Sequence, residues 1–137
     1  MAARVLYFSD NERIIRAGQD DKRMYILLSG SVQIILRDGI DSVVVGVLNK
    51  GDFFGEMSLF HNQPRTADVI AIGKVELTYI ESADQLKKFL AVNPNFAVKM
   101  IEILAERLKK TNELLIGVIS DTNRLKLEYD KVPLSRN

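Results

Sequence analysis

Gly51-Asp52-Phe53-Phe54-Gly55-Glu56-Met57-Ser58-Leu59-Phe60-His61-Asn62-Gln63-Pro64-Arg65-Thr66-Ala67-Asp68-Val69 decides the reading of this chain. The stretch opens on a glycine and lies between two runs of strand character, Ser42–Leu48 and Ala67–Ile72. Glu56 stands nine residues before Arg65, so one short segment offers a carboxylate and a guanidinium together. Gly55 permits close backbone approach, or angles that other residues avoid. Glu56-Met57-Ser58 suits a single helical turn whose main-chain N–H groups point together and favour an anion. Arg65 adds a fixed charge that pairs with two phosphate oxygens at once. Thr66 adds a hydroxyl donor, and an ionised Glu56 accepts from a hydroxyl and keeps Arg65 oriented. The set fits a ligand that carries both a phosphate and a hydroxyl. On spacing alone it equally describes a surface salt bridge, worth about 0–1 kcal/mol.

Outward from this stretch the pattern is β as far as about Glu81. The short apolar runs are Val5–Phe8, Arg13–Arg16, Met24–Leu28, Val32–Arg37, Ser42–Leu48, Ala67–Ile72 and Val75–Ile80. Gly18, Gly30, Gly39, Gly51 and Gly73 punctuate them. Many short strands at such spacing indicate a sandwich or barrel. A period of two places Val32, Ile34 and Leu36 on one face, and Val43, Val45 and Val47 on one face of the next strand. Both faces are expected to line the interior. Phe53, Phe54 and Phe60 are expected in the core, packing the Gly51–Val69 stretch.

Helices follow. Ser82 and Gln85 have capping-box spacing and open a short helix through about Leu90. Asn93-Pro94 reads as an N-cap followed by proline at the first helical position. From there the pattern stays helical to about Lys131, and Pro133 blocks continuation. Such a helix is on the order of 55 Å long at 1.5 Å per residue. Ile101, Leu104, Leu108, Thr111, Leu115, Val118, Thr122, Leu125 and Tyr129 alternate by three and four, which is a heptad seam. Its first turns (Phe96, Val98, Met100) are expected to pack on the β part, and its second half to pair with a second copy. Gly117 is expected to mark a bend or a close approach. The organisation is therefore residues 1–92 as the β part with the ligand segment at 51–69, residues 93–131 as the long helix, and 132–137 as a frayed tail.

Composition excludes several classes. Of 137 residues, Lys and Arg number 19 and Asp and Glu 18, a net charge of +1, so no global basic field draws in nucleic acid. Cysteine is absent, which rules out disulfides and thiolate metal sites. No apolar run approaches the roughly 20 residues that span a bilayer. Val5–Phe8 is too short for a signal-peptide core, and the cytoplasm is the expected location. His61 is the sole histidine, which leaves neither a metal set nor a nucleophile–base pair for Ser58. No catalytic and no metal-binding residues are expected. Asp20, Asp21 and Asp52 fall at turns, where side-chain bonds to nearby backbone are the expected role.

Three runs of residues together resemble the cyclic nucleotide-binding domain family, the module of the catabolite activator protein, cyclic-nucleotide-dependent kinases and cyclic-nucleotide-gated channels. They are Ile15-x-x-Gly18-x-x-x-x-x-x-Tyr25-Ile26-x-x-x-Gly30-x-Val32, Leu48-x-x-Gly51-Asp52-Phe53-Phe54-Gly55-Glu56, and Pro64-Arg65-Thr66-Ala67-x-Val69-x-Ala71. The resemblance spans about residues 12–131. It implies an eight-stranded jelly-roll barrel (a double-stranded β-helix) with a cassette helix inside and a long C-terminal helix that closes the pocket and dimerises. It further implies that Glu56 binds the ribose 2′-hydroxyl and Arg65 the cyclic phosphate. Gly55, Met57 and Ser58 then give main-chain N–H groups, and Thr66 bonds phosphate or the 2-amino group of a syn guanine. Ile34 and Val45 match positions lining the base site. Thr111 and Asn112 match positions that reach the base in bacterial activators, with Asn112 where a serine is more familiar.

The expected function is a non-enzymatic, homodimeric sensor of cAMP or cGMP, with no cofactor beyond that ligand and no membrane association. Nothing after the long helix resembles a helix-turn-helix, so direct DNA binding by this chain is not expected. The alternatives are a dimerisation module on the same fold without nucleotide, and a metal-dependent jelly-roll enzyme. The single histidine disfavours the last.

Overall fold

The computed structural model describes residues 4–131, and the chain divides into two units, Met1–Pro94 and Asn95–Asn137. The first unit holds strands β1 (Val5–Phe8), β2 (Arg13–Ile15), β3 (Met24–Asp38), β4 (Asp41–Leu48), β5 (Phe53–Phe54) and β6 (Asp68–Ile80). Between β5 and β6 lies helix α1 (Glu56–His61), and α2 (Ala83–Val92) follows β6. The sheet runs β1-β6-β3-β4, with β2 added to β6 and β5 to β3, and every pair is antiparallel. The architecture is thus mainly antiparallel β followed by a long helix.

Six strand elements are delimited among the described residues, against the eight expected. Two expected breaks lie inside continuous strands. Gly30 and Gly73 both take left-handed angles (φ 86° and 68°), and the β3–β6 register shifts between Leu27 and Ser31. The glycines therefore bend paired strands instead of ending them. The core forms where β3 and β6 meet, from Tyr25, Leu27, Val32, Val69, Ala71, Val75 and Leu77, joined by Ile15 and Phe54.

The period-two reading holds for Val32 and Ile34 on β3, not for Leu36, and fails on β4. Val32 is fully buried and Ile34 packs against the core, although Leu36 is exposed. On β4, Ile34 pairs with Gly46 but Ile35 pairs with Val44, so Val45 is an inserted residue without a register partner. That bulge puts Val43 and Val47 on opposite faces. Val43, Val45 and Val47 are all exposed, contrary to an interior lining. Phe53 and Phe54 are buried as expected, but Phe60 is 53% exposed. It lies two residues from buried Ser58 on α1, about 200° around the helix, and so faces the other way.

Local signals in the helices are legible. Ser82 caps α2, its hydroxyl accepting from the Gln85 N–H at 3.1 Å. Gln85 returns its side-chain oxygen to the Glu81 N–H at 2.9 Å. The Asn93 side chain donates to Phe89 O at 2.9 Å, which ties it to the end of α2. Helix α3 (Pro94–Lys131) begins at the proline as expected and supplies the second unit from Asn95 onward. Met100 is buried, whereas Val98 is exposed. The apolar seam members are exposed, from Leu104 at 38% to Ile101 at 67%. A Cβ on Gly117 would meet open space within this chain. The expectations for the Tyr129 side chain and for residues 132–137 lie outside the described residues.

Gly30 provides a test of the strand bend. A Cβ there would sit 2.3 Å from Lys74 O, on a backbone of positive φ. At Gly39, φ is also positive but a Cβ meets nothing within 4 Å. Gly39→Ala is expected to cost about 1 kcal/mol from the backbone alone, and Gly30→Ala roughly 1–3 kcal/mol more. Urea unfolding of both variants checks this, and equal losses would contradict it.

Candidate functional site

The site begins where β5 ends. Phe54 and Phe53 pair with Tyr25 and Ile26 of β3 and are buried, so the chain must turn at once to start α1. Gly55 makes that turn at φ 87°. A Cβ on Gly55 would lie 2.7 Å from both Arg23 O and Arg65 Nη1, so only glycine leaves room for that guanidinium. The six-residue α1 closes at Asn62, which is also left-handed (φ 53°).

Arg65 returns to the same corner and is only 5% exposed. Its main chain is held twice by the turn before β3. The Gly18 N–H donates to Arg65 O at 2.7 Å, and the Arg65 N–H donates to Gln19 O at 2.8 Å. Its Nη1 donates to Gly55 O at 3.1 Å, and its Nη2 to Arg23 O. Nη2 also lies 3.4 Å from Asp21 Oδ2, and the guanidinium sits 5.8 Å from the Tyr25 ring centre. Its Nε is buried and has no hydrogen-bond partner within the protein, the one such side-chain atom among the described residues.

Asp21 organises the cations around it. Its Oδ1 accepts from the Arg23 N–H at 3.0 Å and from Arg23 Nε at 3.1 Å. Its Oδ2 accepts from the Tyr25 hydroxyl at 2.7 Å. Burial pushes the Asp21 carboxyl up, but the bonds from the Arg23 side chain, the Arg23 N–H and Tyr25 outweigh it and bring it down to about 2. Burial and the Asp21 bond push the Tyr25 hydroxyl well above its ordinary value. The Tyr25 ring stacks on Phe54 at 5.2 Å and lies 5.3 Å from the Arg23 guanidinium.

The structure brings Gly55 and Arg65 together at one corner, with Glu56 and Ser58 following Gly55 on α1. Glu56 is the half-buried first residue of α1, Ser58 is buried, and Met57 is exposed. Thr66 is exposed beside Arg65. Ile34 is half-buried on β3, opposite Val69 of β6. Val45 is 52% exposed, because the bulge removes it from the regular ladder. Thr111 and Asn112 are exposed on α3, where the Thr111 hydroxyl donates to Arg107 O at 2.9 Å.

Asp21 was expected only to bond its own turn. It does so at the Arg23 N–H, but it is also the carboxylate facing Arg65. The available signal was the alternation Asp21, Arg23, Tyr25, which puts three polar-tipped residues on one side of an extended segment. Asp68 carries its own signal, a carboxylate inside the strand-forming run Ala67–Ile72. No group of three or more His, Asp or Glu stands close enough to hold a metal ion among the described residues.

The sequence profile of the cyclic nucleotide-binding domain matches residues 5–93. The chain belongs to that family. It is 31% identical over 114 residues to a CRP-like cAMP-activated global transcriptional regulator of Mycobacterium tuberculosis, covering 82% of this chain and 50% of that one. Among solved structures it is similar to the Thermus thermophilus catabolite activator protein, with a TM-score of 0.70 at 24% identity over 86% of this chain and 55% of the other. That likeness speaks for the fold. It is also similar to the regulatory domain of Toxoplasma gondii PKA crystallised with cAMP, with a TM-score of 0.59 at 29% identity over 74% of this chain and 40% of the other. The chain thus spans about half the length of the bacterial regulator it matches. No helix of the described residues is long and apolar enough to cross a membrane.

In this cyclic nucleotide-binding domain, Asp21 sets an acid limit. Its carboxyl titrates lower in the folded chain than in the unfolded one, so its contribution to stability is complete above the ordinary value, about 4. The contribution is lost as pH falls toward about 2. Carboxyl-detected NMR is expected to give Asp21 a midpoint near 2, and Asp21→Asn to flatten the acid limb of stability. An Asp21 midpoint in the ordinary range would contradict the pairing.

Proposed function

We propose that this chain is a non-enzymatic regulatory sensor that binds a 3′,5′-cyclic nucleotide, cAMP or cGMP. Arg65 pairs with the cyclic phosphate, joined by Thr66 and by the main-chain N–H groups of Gly55, Met57 and Ser58. Glu56 accepts from the ribose 2′-hydroxyl. Ile34 and Val45 line the base site, and Thr111 and Asn112 reach the base. The antiparallel sheet is the family's jelly-roll barrel, and the exposed seam of α3 pairs two copies in the cytoplasm. Ligand binding biases a two-state arrangement of that helix, and the chain itself makes no DNA contact.

The observation that carries the reading is Arg65 Nε. A buried, charged donor without an acceptor is costly, and a phosphate oxygen beside Gly55 supplies one. The family match and a relative described as cAMP-activated support the same ligand class. A second reading, the same fold acting as a dimeriser without nucleotide, draws on the carbonyls and carboxylate that already engage Nη1 and Nη2. Its signature is dimerisation that no nucleotide changes.

Calorimetric titration with cAMP and cGMP separates the two, using protein stripped of carried ligand by unfolding and refolding. Saturable binding is expected, weakened by about 2–5 kcal/mol in Arg65→Leu with the fold intact. Equal affinity of variant and wild type, or no heat with either nucleotide, would overturn the sensor reading.

A further inference from the structure

Asp68 opens β6 at 3% exposure, where the strand pattern leaves no room for a solvated carboxylate. Three stretches of chain converge on it. The Ala17 N–H donates to its Oδ1 at 2.7 Å. Arg37 of β3 donates through Nε to its Oδ2, and Arg13 Nε of β2 lies 3.8 Å from the same oxygen. Burial raises this carboxyl, but Ala17, Arg37 and Arg13 together hold it below its ordinary value.

Ala17 belongs to the turn that clasps Arg65. The turn is closed by the Gln19 N–H donating to Arg16 O at 3.1 Å and the Arg16 N–H donating to Gln19 Oε1 at 3.0 Å. It delivers the Gly18 N–H to Arg65 O and Gln19 O to the Arg65 N–H. Contacts therefore run in a ring from Asp68 through Ala17 and the turn to both main-chain polar groups of Arg65, three residues before Asp68.

We propose that Asp68 is a positioning residue for Arg65, fixing its main chain through the Arg16–Gln19 turn and so the point from which its guanidinium meets the ligand's phosphate. For the phosphate this rests on the cyclic nucleotide reading, whereas the clamp stands on the geometry alone. A carboxylate that merely braces the sheet would weaken the whole molecule evenly. A positioning carboxylate acts at one place.

Two measurements on the full chain test it, with Asp68→Ala and with Asp68→Asn, which keeps an acceptor for Ala17. The first is amide hydrogen exchange without nucleotide. Asp68→Ala is expected to speed exchange at Gly18 and Arg65 about ten-fold or more while Val32 and Leu77 stay protected, with Asp68→Asn intermediate. The second is cAMP affinity, expected to fall about ten-fold in Asp68→Ala and by less than about two-fold when Arg65 is already Lys, because the two changes share one path. Unchanged exchange at Gly18 and Arg65, faster exchange with unchanged affinity, or an additive loss in the Arg65→Lys background would each overturn the proposal. If Asp68→Ala does not fold, Asp68→Asn carries both measurements. If the wild-type chain binds no cAMP, the proposed function falls and the exchange result alone decides the clamp.

Discussion

A guanidinium at 5% exposure is the constraint around which the first unit is arranged. A buried charge costs several kcal/mol unless acceptors surround it. The chain supplies them from distant places: Gly55 O at the end of β5, Arg23 O before β3, and the Asp21 carboxylate. Each source imposes a condition on sequence. Gly55 must lack a side chain, Asp21 must stay ionised, and the turn at Arg16–Gln19 must hold the Arg65 main chain. Among the described residues, Arg65 Nε finds no acceptor.

The sheet makes this geometry possible. β3 and β6 are long strands bent at glycines, and their pairing forms the core beneath the site. β3 carries Tyr25, whose ring contacts both Arg23 and Arg65 and whose hydroxyl bonds Asp21. β6 begins with Asp68 and is preceded by Arg65. The strands that build the core thus also deliver the charged residues, so core packing and site geometry share one framework. Family membership and the antiparallel sheet agree with a regulatory binding module, and the ligand chemistry proposed for it follows from Arg65.

Much of this was legible in the sequence wherever the signal is local. The Ser82 cap, the start of α3 at Pro94 and the left-handed turn at Gly55 all depend on neighbouring residues. The approach of Arg65 to Gly55 was legible because their spacing matches a family motif. What escaped depends on register or on distant partners. One inserted residue, Val45, rotates half of β4 and exposes valines that alternation had placed inside. Phe60 is hydrophobic, but a six-residue helix buries one narrow face and Phe60 is not on it. Asp21 reads as a turn residue and Asp68 draws no reading, because Arg65 lies 44 residues from the first and Ala17 51 residues from the second.

The most direct test of the account is the side-chain Nε–H signal of Arg65 in a nitrogen–proton NMR correlation, titrated with cAMP and separately with adenosine. The account predicts a downfield shift and slower exchange of that proton with cAMP, as it gains a phosphate acceptor, and no change with adenosine, which has no phosphate. An Arg65 Nε–H signal that stays in place at saturating cAMP would contradict the central role given to this guanidinium.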